Sequence, residues 1–178
     1  KEKIIKRESQ IALPTKHVWL TIKDGMFMAS AGIDESNADG KLILLPKNSF
    51  KSADFLRKKL MAKYNVTELG VIIVDSCVLP LRAGVLGAAI GYAGFEGLKD
   101  YRGKSDIFGR KLNFSSVSVA DSLATSAVFL MGEGDECQPF AIIEEAPIKF
   151  SAKINKKELI FSPDDDLYAP LFHRLFKK

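Results

Sequence analysis

Apolar and polar residues alternate along residues 17–23, HVWLTIK, and the alternation resumes at Met26 after Asp24-Gly25. Two runs of period two joined by Asp-Gly predict a β-hairpin, because successive strand side chains point to opposite faces and Asp-Gly suits the tight turn. Ile4, Ile5, Ile11 and Leu13 stand among charges and predict a strand over residues 1–13. Small and turn-forming residues fill AGIDESNADG, 31–40, which predicts a loop. KLILL, 41–45, predicts a short strand ended by Pro46.

The period then changes. In NSFKSADFLRKKLMAKY, Phe55, Leu56, Leu60 and Tyr64 recur at helical spacing. They predict the inward face of a helix capped by Ser49 or Ser52 and ended at Asn65. LGVIIV, 69–74, is apolar on both faces, as a central strand is, and runs into Asp75. Gly84, Gly87, Gly91, Gly94 and Gly97 argue against a surface helix and for a buried glycine-rich strand and loop. At Gly91 and Gly94 a side chain is expected to meet neighbouring backbone. DYRGKSDIFGRKL follows as a polar loop with a turn around 105–109.

A second helix is predicted from Val119 to Met131, with Leu123, Ala127, Leu130 and Met131 facing inward and small residues permitting close packing on a sheet. Gly132 and Gly134 end it. FAIIE, 140–144, predicts a strand, and 153–161 a hairpin with Asn155 at its turn. The tail carries Leu171, Phe172, Leu175 and Phe176, too apolar to stand free, and is expected to pack on the body or a partner subunit. Strands and helices without a steady βαβ rhythm predict an α+β fold of mixed or antiparallel sheets with packed helices.

Composition narrows the class. The 178 residues suit a single domain spanning 1–178, and a 47% hydrophobic content can supply a core. Two cysteines, Cys77 and Cys137, cannot build a secreted disulfide framework, so a reducing cytoplasm is expected. No run of ~18 apolar residues predicts a membrane span. The net charge is +4, and its basic residues are spread along the chain rather than gathered in a stripe. Nucleic acid is therefore not an expected partner.

Candidate chemistry is oxygen-rich. Asp75 reads as a hard ligand for a divalent cation at the end of a strand, or as a turn former. Asp121, before an apolar helical run, reads as a helix cap or as a second ligand on the same cation. Asp34, Ser36 and Asn37 close an Asx-type turn or orient a substrate. Asp100, Arg102 and Asp106 form a charged loop. It is either salt-bridged to itself, or it presents Arg102 and Arg110 to a carboxylate or phosphate. Cys77 reads as a nucleophile or a buried structural thiol. His17 and His173 are isolated, and HxH, HExxH and CxxC patterns are absent, so a protein-built zinc site is not expected. No Walker motif occurs, and Gly84-x-x-Gly87 is too short for a dinucleotide fingerprint.

Several segments, taken in order, resemble the coenzyme gamma-glutamyl ligases, including members assigned to folate metabolism. They are AGIDESN at 31–37, LLP at 44–46, SADFLRKKL at 52–60, VDS at 74–76, LRAG at 81–84, AIGYAGF at 89–95, DYRGKSDIFGR at 100–110, VADSLA at 119–124 and LMGEG at 130–134. The resemblance covers roughly residues 4–145. It implies an unusual α+β fold in an intertwined homodimer. It also implies a ligase that joins L-glutamate to a cofactor-like acceptor, using ATP or GTP and passing through an acyl phosphate. Magnesium or manganese is the implied cation, held by Asp75, Asp121 and the position of Ser122, where many coenzyme ligases have Glu. Arg82 is carried over as a catalytic arginine. Leu79 replaces an earlier arginine of the TxGRPxR pattern, which argues for a folate-like rather than a deazaflavin acceptor. Family chains carry a further N-terminal segment with nucleotide contacts ahead of the part matching Lys1, which this sequence is expected to lack. An inactive nucleotide- or flavin-binding module of the same fold, and a structural dimer subunit, stay open as alternatives.

Overall fold

The structure is a computed structural model, and it describes residues 1–153 and 155–176. The chain begins not with a strand but with helix α1, Glu2–Glu8. Ile5 is its buried residue, and it packs with Ala31 and Ile33 into a small core flanked by Ile4, Trp19 and Leu42. Adjacent Ile4 and Ile5 would face opposite sides of a strand, whereas a helix turns both toward that one core. Strand pairing starts only at β1, Ile11–Pro14.

The expected hairpin is present. β2, Trp19–Lys23, pairs antiparallel with β3, Met26–Ala29, across Asp24-Gly25, and β1 adds to its other edge. Asp24 and Gly25 both have positive φ, as such a turn requires. KLILL does not form a strand; Ile43 makes one isolated bridge to Asp34.

Helix α2 spans Ser49–Tyr64, with Asn65 left-handed at its C-cap. Its cap is Asn48, whose side chain accepts from the Lys51 amide, rather than Ser49 or Ser52. The apolar stripe expected to face inward does not. Phe55 is 59% exposed and Tyr64 63%, while Ala53 is fully buried. Small Ala53 lets the helix axis come close to the sheet, and that approach turns the larger side chains outward.

The sheet beneath α2 is an antiparallel pair, β4 (Val71–Cys77) and β5 (Leu86–Ala93). Ile73 pairs with Gly91 and Val74 with Ala89, so Ile90 is the extra residue of a β-bulge. Asp75 does not terminate its strand; it lies inside β4 opposite Ala88. The glycines of β5 admit its neighbours. A Cβ at Gly91 would stand 2.5 Å from the Ser49 carbonyl carbon, and one at Gly87 would stand 2.4 Å from the Ala124 carbonyl oxygen.

β6, Leu98–Asp100, pairs with β7, Ser116–Ser118, and helix α3, Val119–Met131, follows at once. Its buried residues are Ala120, Ala124 and Val128; of the residues expected inward, Leu123 packs on the core, while Leu130 is 62% exposed. The physical reason is again close approach: α3 lies against Gly87, where only small side chains fit. α2 and α3 thus pack on β5 around a core of Ala89, Tyr92, Phe95, Ala120 and Ala124.

FAIIE forms no strand. Beyond it, the chain returns across the core: Phe150 bridges Phe95, and Ile148 and Leu159 pack on the central cluster. The expected 153–161 hairpin includes Ile154, which lies outside the described residues; residues 156–159 form a turn without flanking strands. Helix α4, Ala169–Phe176, closes the described chain, with the Phe172 ring 5.1 Å from that of Phe27. The side chains of His173, Leu175 and Phe176 lie outside the described residues. The fold is α+β with small antiparallel sheets and packed helices. Among the described residues no helix is long and apolar enough to cross a membrane.

Candidate active site

Two cavities flank the β4–β5 pair. One, of about 490 Å³, opens between the AGIDESN loop, β4 and the loop after α3, and its walls include Asp34, Asn37, Asp75, Ser76, Glu133 and Glu136. The loop reaches β4 through a left-handed turn, Ser30–Gly32, in which all three residues have positive φ. Non-glycine residues are strained there, so something must hold them. Thr21, fully buried, does so: its hydroxyl donates to the Met28 carbonyl at 2.6 Å and accepts from the Ala31 amide at 2.8 Å. A Cβ at Gly32 would stand 2.9 Å from Asp75 Oδ2, so only glycine lets the turn come this near the carboxylate.

Asp34 closes the expected Asx turn, its Oδ1 accepting from the Ser36 amide at 2.7 Å. Asn37 donates from Nδ2 to the Gly134 carbonyl at 2.8 Å, which ties the AGIDESN loop to the loop after α3. Ser36 is exposed and contributes its backbone. Ser76 donates its hydroxyl to Glu133 across the mouth of the cavity at 2.5 Å. Neither Ser76 nor Glu133 carries a sequence signal beyond its nearness to VDS and to the glycines after α3.

Burial pushes the Asp75 carboxyl above the usual carboxylate range. The Ser76 amide pulls against that shift, and the negative charges of Asp34 and Glu133 add to it. A half-buried carboxylate with carboxylate neighbours and no cationic partner among the described residues suits a hard cation chemically. No group of three His, Cys, Asp or Glu residues forms a ready cage among the described residues. The arrangement therefore fits a cation held by one or two carboxylates and by a substrate's phosphate oxygens, as magnesium commonly is.

Asp121 lines the other cavity rather than the acidic one. It is not the N-cap of α3; Ser118 is, accepting from the Asp121 amide. The Ser118 hydroxyl donates back to Asp121 Oδ2 at 2.6 Å, and Asp121 Oδ1 accepts from the Ala89 amide at 2.9 Å. Both oxygens thus have a partner that fixes the carboxylate beside the bulge. Ser122 is exposed and donates to the Ser118 carbonyl at 2.7 Å. Asp75 and Asp121 both neighbour Cys77, whose thiol is pushed up by burial and then by the charges of Asp121 and Asp75. That environment keeps Cys77 protonated and disfavours it as a nucleophile.

The arginines stand apart. Arg82 is exposed in the loop before β5, its amide bonded to the Leu79 carbonyl. Arg102 is held by its own loop: Nε and Nη2 grip Asp100 at 2.9 and 2.7 Å, holding that carboxyl at about 2. Asp106 accepts from the Phe108 and Arg110 amides and shapes the 105–111 turn. Arg82, Arg102, Asp106 and Arg110 line neither cavity.

The second cavity, about 320 Å³, lies between the β2–β3 turn, the first turn of α2 and residues 156–160. Asp121 reaches its wall, together with Ala89 and Ile90. The lysines around it sit in separate parts of the chain, so no local motif announces the cavity.

The family described as F420-0:Gamma-glutamyl ligase matches residues 2–145. Among curated proteins, the chain is 42% identical over 146 residues to the coenzyme F420:L-glutamate ligase of Methanococcus maripaludis (strain C6), covering 82% of this chain and 58% of that protein. It is 40% identical to the enzyme of that description from Methanocaldococcus jannaschii over the same share of each chain. It is 36% identical over 165 residues to the one from Methanopyrus kandleri, covering 90% of this chain and 65% of that protein. These similarities hold despite Leu79, and a folate-like acceptor draws no support from them. The chain spans somewhat over half the length of these relatives. On a match covering most of its length, the chain belongs to the F420-0:gamma-glutamyl ligase family.

Proposed function

We propose that the chain carries the cation-binding part of a ligase that joins L-glutamate to an F420-type acceptor. The observation that carries this reading is the pairing of the family match with the acidic cavity around half-buried Asp75, whose lining includes no lysine or arginine among the described residues. The relatives' descriptions, coenzyme F420:L-glutamate ligase, supply the two substrates.

The chemistry follows from what an amide bond requires. A carboxylate does not react with an amine until one oxygen is made a leaving group. An acceptor carboxylate oxygen attacks the terminal phosphorus of ATP or GTP, and the nucleoside diphosphate departs. The amine of glutamate then attacks the acyl carbon, loses a proton, and expels phosphate. A magnesium or manganese ion, when bound, would neutralise triphosphate charge. Asp75 is the residue best placed to hold it, with Asp34 near it and Asp121 sharing Cys77 as a neighbour. Asn37 and Thr21 contribute by positioning: one fixes the loop that carries Asp34, the other the turn that brings it in.

Calorimetric titration of manganese in the presence of GTP or ATP tests this. Asp75→Asn should weaken manganese binding by about tenfold or more, and Asp121→Asn, whose carboxylate is engaged by Ala89 and Ser118, should weaken it less. If Asp75→Asn binds manganese as tightly as the parent, the acidic cavity is not the cation site.

A further inference from the structure

Ser76 touches two carboxylates of the acidic cavity at once. Its backbone amide bonds the Asp75 carboxylate, and its hydroxyl donates to Glu133 Oε1 at 2.5 Å, across 57 residues of chain. Ser76 itself is fixed in β4 by pairing with Gly87. Glu133 belongs to the loop after α3, which is neither helix nor strand and is held by side chains. Asn37 donates to the carbonyl of Gly134 at 2.8 Å, and Glu136 accepts from the Gly134 amide at 2.7 Å. A Cβ at Gly132 would collide with the Glu136 carboxylate, so only glycine lets the loop fold back at that point.

Charge alone would not bring this loop here. Asp34, Asp75, Glu133 and Glu136 line one cavity, and Asp34 and Glu133 both press on the Asp75 carboxyl with like charge. Like charges held close together repel. The uncharged donors of Ser76 and Asn37 offset that repulsion and keep the loop beside Asp75. The two carboxylates also differ in setting. Asp75 is half-buried, whereas Glu133 is exposed at the mouth with one oxygen already taken by Ser76. Asp75 is therefore placed to meet a cation, and Glu133 to fix the residue next to it.

We propose that Glu133 is a positioning residue of the cation site: through the Ser76 hydroxyl it fixes the amide that bonds Asp75 and holds the loop after α3 beside that carboxylate. The proposal rests on the reading of Asp75 as the residue that meets the cation. Its content is that Glu133 works by its hydrogen bond and not by its charge. A neutral acceptor of the same shape can then replace it, which no ligand of the cation would allow.

The test has a metal-free and a metal-bound arm, both on the 178-residue chain. Without metal, hydrogen exchange at the amides of residues 132–136 should quicken in Glu133→Ala and in Ser76→Ala. Glu133→Gln keeps an acceptor for Ser76 and should exchange as the parent does. With GTP or ATP present, Glu133→Ala and Ser76→Ala should each weaken manganese binding by about tenfold, read by calorimetry. The double variant should lose no more than either single one, because both remove the same bond. Glu133→Gln should recover most of the loss. Asp75→Asn is titrated alongside, and its loss of manganese shows that the cation site itself is present. With that loss seen, Glu133→Gln binding as weakly as Glu133→Ala, additive losses in the double variant, or quicker exchange with unchanged manganese affinity overturns the positioning role alone. Unchanged manganese affinity in Asp75→Asn overturns the cation site and the positioning role together.

Discussion

Asp121 on α3 accepts the backbone amide of Ala89 on β5, at 2.9 Å, and so joins the helix to the strand at the bulge. The same carboxylate receives the hydroxyl of the capping Ser118. Asp121→Ala would leave the Ala89 amide without its partner and should cost about 1–3 kcal/mol. Asp121→Asn keeps an acceptor for Ala89 and should cost less than about 1 kcal/mol. Chemical denaturation of the two variants separates this role from cation binding, because only the latter demands the charge.

Gly91 meets the first turn of α2, where a Cβ would stand 2.5 Å from Ser49 and 2.6 Å from the Phe50 amide. The obstruction is backbone, which cannot rotate aside. Gly91→Val should therefore destabilise the fold by roughly 1–3 kcal/mol. An unchanged unfolding midpoint would mean that α2 does not rest on β5 as described.

Asp75 gives a pH dependence of defined sign. Its carboxyl is raised in the fold, so between the ordinary carboxylate pKa and the raised value the folded state binds more protons than the unfolded one. Stability should fall as pH rises through that window, and the loss persists above it. Asp75→Asn removes the charge, so it should raise the thermal midpoint at neutral pH and flatten this part of the profile. Manganese with nucleotide should raise the midpoint of the parent at neutral pH and have less effect on the variant. A lower midpoint in Asp75→Asn at neutral pH would contradict the assignment.

Large apolar side chains lie uncovered: Leu81, Ile107, Phe108, Phe114 and Phe129 are each at least 85% exposed. Such side chains call for a cover, and a second copy of the chain is the expected one. Sedimentation at micromolar concentration should give about twice 19.6 kDa. A monomer at every accessible concentration would mean that this surface has no self-partner.

What was legible in the sequence depended on range. The Asp24-Gly25 hairpin and the bounds of α3 are set by neighbours in the chain, and both were readable. The inward face was legible only in part: Leu123 of α3 packs on the core as periodicity marks, but the stripe of α2 and Leu130 do not, because the face is chosen by how near the helix can come to β5. Gly87 admits the Ala124 backbone and Gly91 the first turn of α2, and the buried residues Ala124 and Ala53 are smaller than those that periodicity marks. Asp75 could be recognised as a candidate from an apolar run ending in a carboxylate, yet its place inside β4 depends on the partner Ala88. Tyr92 and Glu158 meet across the fold, so nothing local in the sequence signalled the anchor that closes the second cavity. The charged loop at 100–110 was ambiguous, and the grip of Arg102 on Asp100 fixes it as a self-contained turn.

The most direct test of the ligase reading is product formation. The chain is incubated with an F420-type acceptor, L-glutamate, manganese or magnesium, and GTP or ATP, and the acceptor is followed by mass spectrometry. The account predicts a mass gain of one glutamyl residue, matched by release of phosphate, and a loss of at least about a hundredfold in rate in Asp75→Asn. No glutamyl product with either nucleotide and either cation, or undiminished product formation by Asp75→Asn, would contradict it.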